Sequence, residues 1–169
     1  MGRSSTVNIK QSLESMIEFE RAFSDYYKAM AEVCPNYSDF WQSAAIQKET
    51  RLNLYSSILN DYSKNKFKYS INDSSSGHLW RLIEKIRTSS QRILESRNIS
   101  NEHLEFIFQL EKISHQSGSF PQIAADTEIF EKANLILERM QKQQLRLVAS
   151  FMQEKRECNR PGSKTPTEK

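Results

Sequence analysis

Along most of this chain apolar residues return at alternating steps of three and four. Between about 9 and 33 they are Leu13, Met16, Phe23, Tyr27 and Met30. That rhythm predicts an amphipathic helix with one buried stripe. Pro35 in "CPNYSD" ends it, because proline brings no N–H to the helical ladder. Ser38 is the expected cap of a second helix, about 38–62, with Trp41, Ala45, Leu52, Tyr55 and Leu59 on one face. The polar stretch "SKNKFKYSINDSSSG", residues 63–77, reads as a crossover connection. A third helix, about 78–97, carries Leu79, Ile83, Ile86 and Ile93. A fourth, about 101–117, is capped by Ser100 or Asn101 and carries Leu104, Ile107, Phe108 and Leu110. "SGSFP" ends it. The last helix is expected over about 121–155, with Phe130, Ala133, Leu137, Met140, Leu147 and Phe151 as its stripe. "FKYSI" at 67–71 alternates, but it is too short and isolated to predict a strand.

These elements predict one all-α domain over 9–155, between a flexible N-terminal arm (1–8) and a disordered C-terminal tail (156–169). Four long helices, with an additional helix in the crossover connection, predict a four-helix bundle. The pairs 9–62 and 101–155 match in length and layout, as a duplicated helical hairpin would.

Each long helix interrupts its apolar stripe near the middle with a polar residue. In the first it is Glu20, between Met16 and Phe23. In the second it is Lys48, with Arg51 beside it, and in the fourth Glu111, with His115 one turn on. In the last it is Gln144 or Gln141, according to register. Interruptions at comparable depth predict one buried polar layer of Glu20, Tyr27, Lys48, Arg51, Glu111, Gln141 and Gln144. Buried charges are normally paired or bound to a metal. Carboxylates at mid-depth in a helix bundle, with Glu-x-x-His pairs on one face, are the di-iron arrangement.

The chain resembles the rubrerythrin branch of the ferritin-like superfamily over roughly residues 10–155. Glu20 and Tyr27 stand seven residues apart, as in that family's first helix. Trp41 and Ala45 match its second-helix pattern, aromatic-x-x-x-Ala-x-x-Glu-x-x-His, and "FQLEK" with Glu111 matches its third bundle helix. At the second-helix ligand positions stand Lys48 and Arg51, and neither register around Met140–Gln144 supplies a Glu-x-x-His. The resemblance implies a ferritin-like bundle with most di-iron ligand positions substituted; of the family's ligands only Glu20 and Glu111 are retained. It follows as an expectation that Lys48 supplies the charge that iron supplies in metal-bearing relatives. Its ammonium would pair with Glu20 and Glu111, with Arg51 and one glutamine completing the hydrogen bonds. The blander alternatives are a Lys48 that snorkels to water and a solvated Glu20 beside Arg21.

Composition narrows the function classes. A net charge of +3 with no basic run interleaved with surface aromatics predicts no nucleic-acid partner. No stretch approaches a membrane span, and "MGRSSTVNIKQSLES" lacks the apolar core of a secretory signal, so no membrane partner is expected. Gly2 with Ser5 and Thr6 touches a myristoylation pattern too short to carry weight. Cys34 and Cys158 lack ligand spacing and read as reduced thiols of a cytoplasmic protein. They also supply no rubredoxin-type four-cysteine unit. There is no Gly-rich phosphate loop, nucleophile elbow or Ser/His/Asp spacing, and His78 and His103 read as helix-start residues. The first expectation is a structural or interaction module without cofactor, catalytic residues or redox chemistry, with an unknown protein partner or a second copy as a homodimer. The second is an iron- or manganese-dependent oxidoreductase acting on peroxide or ferrous iron, with Glu18, Glu20, Glu111 and His115 as unconventional ligands. The third is a binder of a small acidic or lipid ligand in an inter-helix cavity beside Lys48.

Overall fold

The computed structural model describes residues 9–64, 69–72, 76–115, 122–125 and 128–158. It is helical, with five α-helices, apart from one small ribbon. The helices are α1 (Ile9–Val33), α2 (Ser38–Ser63), α3 (Ser76–Ser96), α4 (Asn101–His115) and α5 (Glu128–Cys158). The expected arm and most of the expected tail lie outside the described residues. The last helix begins at Glu128 instead of near 121, because Gln122–Ala125 is extended, and it runs on to Cys158 instead of stopping near 155.

α1 is the central element, packed along α2 on one side and α3 on the other. The expected stripe of Leu13, Met16, Phe23, Tyr27 and Met30 is buried, but so is most of the rest of the helix. Ser12, Ser15, Ala22, Ser24, Ala29 and Ala31 are buried between the large residues. α1 therefore has two packed faces instead of one, against α2 and against α3. α4 packs against α5, which also touches α2.

The chain leaves α1 as expected. The Cys34 N–H still bonds to Met30 O at 2.9 Å, and a 3-10 turn at Pro35–Tyr37 leads into α2. Ser38 is not the cap. It is the first residue of α2, and its hydroxyl accepts from Gln42 Nε2 at 3.0 Å. At α4 the cap is Ser100, in a reciprocal arrangement. Its hydroxyl accepts the His103 N–H at 3.4 Å, while His103 Nδ1 accepts the Ser100 N–H at 3.1 Å. The histidine thus takes the place that glutamate holds in a capping box. α3 ends at Ser96, and the next residue, Arg97, has a φ of 51°, the left-handed conformation that glycine usually supplies after a helix.

The expectation of no strand is corrected. Tyr69–Asn72 (β1) pairs antiparallel with Gln122–Ala125 (β2), Tyr69 opposite Ala125 and Ile71 opposite Ile123. β1 lies between α2 and α3 and β2 between α4 and α5, so the ribbon ties the two long connections together. Its partners are some fifty residues apart, which no local pattern reveals.

The α5 register also differs. Gln144, Val148, Phe151 and Met152 are buried, whereas Leu147 is 42% exposed. The inward line therefore runs through 144, 148 and 151–152. The side chains of Phe130, Ala133, Leu137 and Met140 lie outside the described residues. No described helix is long and apolar enough to cross a membrane.

Candidate functional site: the buried ion-pair layer

Where α1, α2, α4 and α5 meet, the core changes from apolar to charged. Glu20, Lys48, Glu111 and Gln144 are all buried, none more than 2% exposed. Their helical positions make this unavoidable. Each sits in line with apolar residues a turn before and a turn after, so a helix that buries its stripe also buries them.

Lys48 does not reach solvent; its side chain is 3% exposed. Its Nζ lies 2.9 Å from both oxygens of Glu111 and 4.1 Å from the centre of the Phe23 ring. The Tyr27 hydroxyl donates to Glu111 Oε1 at 2.5 Å. Glu111 on α4 is therefore held by α1 and α2 together. Tyr27 in turn stacks on Phe23 and Trp41, with centroids 4.9 and 5.8 Å away.

Glu20 takes a different partner from the one expected. Arg51 Nε lies 2.9 Å from Glu20 Oε1, so the guanidinium rather than the ammonium neutralises it. The contact is close, but the N–H is not aligned for a hydrogen bond. Arg51 Nε and Nη1 and Glu20 Oε2 have no hydrogen-bond partner among the described residues. This pair is held by charge, whereas the Lys48–Glu111 pair combines charge with directed hydrogen bonds. Arg51 Nη2 donates to the Tyr55 hydroxyl at 3.0 Å. Tyr55 belongs to the layer although its spacing marks it only as apolar. The available signal is its place one turn after Arg51.

Burial pushes the Glu20 carboxyl above its usual range; Arg51 and then Lys48 oppose the shift, and Glu111 adds to it. Burial also drives the Tyr27 phenol well above its ordinary value, helped by the Glu111 charge, while the adjacent Gln144 amide works the other way. Burial disfavours the Arg51 charge, but the Glu20 carboxylate outweighs it, so the guanidinium holds its proton more firmly. With both carboxylates ionised, the two cations and two anions sum to zero, the condition under which a buried charge cluster is tolerable.

The chemistry of this donor set does not fit a di-iron centre. A cation already lies on both oxygens of Glu111, and Arg51 lies on Glu20. Cations stand at the second-helix positions where the resemblance expects a carboxylate and an imidazole. Among the described residues, no three His, Cys, Asp or Glu side chains converge into a metal-holding group. The side chains of His115 and Gln141 lie outside the described residues. Glu18, the remaining proposed ligand, lies apart from the layer and pairs with Arg21 and, at 2.7 Å, with Arg87 of α3. His78 is exposed, and His103 is committed to the α4 cap. Tyr26, also buried, donates to His103 O at 3.3 Å.

Among the described residues, two concavities lie away from the layer. One, of about 390 Å³, lies over α1 and α2 beside Ala31, Ala45 and Ile46. The other, of about 190 Å³, lies between α4 and α5 beside Leu104 and Met152. Neither is lined by Lys48 or Arg51, so neither is the acidic-ligand cavity expected there.

No protein-family model matches the chain, and no curated protein or solved structure matches it either.

Proposed function

We propose that this chain is a degenerate ferritin-like four-helix bundle of the rubrerythrin type. In this reading an internal ion-pair layer stands in place of the metal site, and the protein serves as a structural or interaction module without redox catalysis. The observation that carries the reading is the Lys48 ammonium, 2.9 Å from both oxygens of a carboxylate that the resemblance assigns to metal binding. A metal ion needs the lone pairs that the ammonium already uses, and its charge would add to that of Lys48 and Arg51. Buried Coulomb repulsion of that kind is strong, since the interior screens poorly. The layer then has a structural role, joining α1, α2 and α4 through Tyr27, Lys48 and Glu111.

The test is metal uptake. The purified chain is loaded anaerobically with ferrous iron, exchanged into metal-free buffer and assayed for iron, manganese and zinc by elemental mass spectrometry. Trace metal is the expected result. Near-stoichiometric iron or manganese overturns the reading, and the oxidoreductase alternative then starts from Glu20, Glu111 and His115.

A further inference from the structure

The two halves of the buried layer are built differently. In one, both Glu111 oxygens are bonded, Oε1 by the Tyr27 hydroxyl and Oε2 by Lys48. In the other, Glu20 Oε2, Arg51 Nε and Arg51 Nη1 are buried and have no hydrogen-bond partner among the described residues. Trp41 Nε1 and Gln144 Nε2 share that condition, but each is a single donor. Among the described residues, only the Glu20–Arg51 pair brings an unpartnered acceptor and unpartnered donors together.

Buried charged groups rarely stay unbonded, because giving up their hydrogen bonds to water is costly. A molecule that serves both residues must accept from an N–H and donate to a carboxylate oxygen, which is the chemistry of a hydroxyl. It must also be uncharged. The layer already balances two cations with two anions, and a further ion would stand buried without a counter-charge. One oxygen atom is enough. Glu20 Oε1 lies 2.9 Å from Arg51 Nε, and Oε2 is attached to the same carboxyl carbon. Oε2 is therefore within two hydrogen-bond lengths of Nε.

We propose that an internal water bridges this pair, accepting from Arg51 Nε–H and donating to Glu20 Oε2. The fork of the guanidinium is rigid, and Nη1 faces away from the Nε N–H, so a second water takes Nη1. The Arg51 side chain is 14% exposed, against 3% for Lys48, so the bridged pair sits where the layer comes nearest to solvent. The layer then has a wet half and a dry half. A bridging water holds two groups nearly as well as a direct bond and completes polar groups that the chain leaves unpaired.

Two measurements on the full chain test the bridge. In a crystal structure at near-atomic resolution, an isolated density peak is expected within hydrogen-bond distance of both Glu20 Oε2 and Arg51 Nε. In solution, with isotope-labelled arginine, the Arg51 Nε–H resonance is identified by its contact to the Tyr55 ring. It is expected to show a rotating-frame cross-peak to water with the sign of close contact rather than of proton exchange. A guanidinium turned onto the carboxylate in two direct hydrogen bonds, with no peak between them, overturns the proposal. So does density too large for water, or an Nε–H resonance without a water contact. A metal ion on Glu20 overturns the metal-free reading of the layer as well. Failure of the bridge with only trace metal present leaves that reading standing.

Discussion

Replacing Glu111 with glutamine keeps the shape of the side chain and removes one charge from the centre of the fold. The Lys48 ammonium, 2% exposed, then loses its only close carboxylate among the described residues. Removing one partner of a buried pair costs about 3–5 kcal/mol, because the other charge is left uncompensated. Two features soften the loss. The new amide oxygen still accepts one hydrogen bond from Tyr27 or Lys48, and the Phe23 ring remains 4.1 Å from the ammonium. The expected cost is therefore at the lower end, about 3 kcal/mol. That is a large part of the roughly 5–15 kcal/mol that holds a domain together. At about 2–4 °C per kcal/mol for a chain of this size, it lowers the melting midpoint by roughly 6–12 °C. Lys48→Met completes the cycle. With both substitutions no charge of this pair remains, and the Tyr27 hydroxyl keeps an acceptor in the new amide. The double variant is therefore expected to be more stable than Glu111→Gln alone. Urea unfolding followed by far-ultraviolet circular dichroism at neutral pH measures all four proteins. A Glu111→Gln cost below about 1 kcal/mol, the range of exposed pairs, refutes the reasoning. So does a double variant whose loss is the plain sum of the single ones.

Alkaline titration reads the buried phenols. Burial raises Tyr26 from the ordinary value of 10.0 to about 12, and it raises Tyr27 and Tyr55 as well. Because the folded chain holds these protons more tightly than the unfolded one, their contribution to stability is complete below pH 10.0. It is lost as pH rises, through about 12 for Tyr26. Phenolate absorbance should therefore show a late class of tyrosines ionising together with loss of helical signal; complete ionisation at ordinary values with the helices intact contradicts the packing. The α5 register is read by a pair of substitutions. Leu147→Gln is expected to change stability by about 0.5 kcal/mol or less, and Val148→Ala to cost about 2 kcal/mol. Thermal melts in which Leu147→Gln is the more damaging change exclude this register.

Much of the architecture was legible in the chain because helical periodicity is local. Steps of three and four place a residue on a face whatever that face later meets. The sequence alone therefore located the long helices, except for the start of the last one, and the break at Pro35, and it narrowed the cap of α4 to Ser100 or Asn101. It also placed Glu20, Lys48 and Glu111 in line with core residues. Periodicity does not say which neighbour a face will find. That Lys48 meets Glu111 while Glu20 takes Arg51 depends on side-chain reach across helices that are distant in sequence. The burial of Tyr55 with its hydroxyl on Arg51 has the same origin. The second packed face of α1 comes from its contact with α3, which nothing in a single stripe of large residues announces. β1 and β2 are each too short to declare themselves and exist only as partners. The exposure of Leu147 is a rotation of α5 chosen by what Val148, Phe151 and Met152 bury. What the sequence determined is the main buried stripe of the first four helices; what the tertiary structure decided is the rotation of α5, the second packed face of α1 and which residues meet, because these depend on contacts between segments that the chain brings together only when folded.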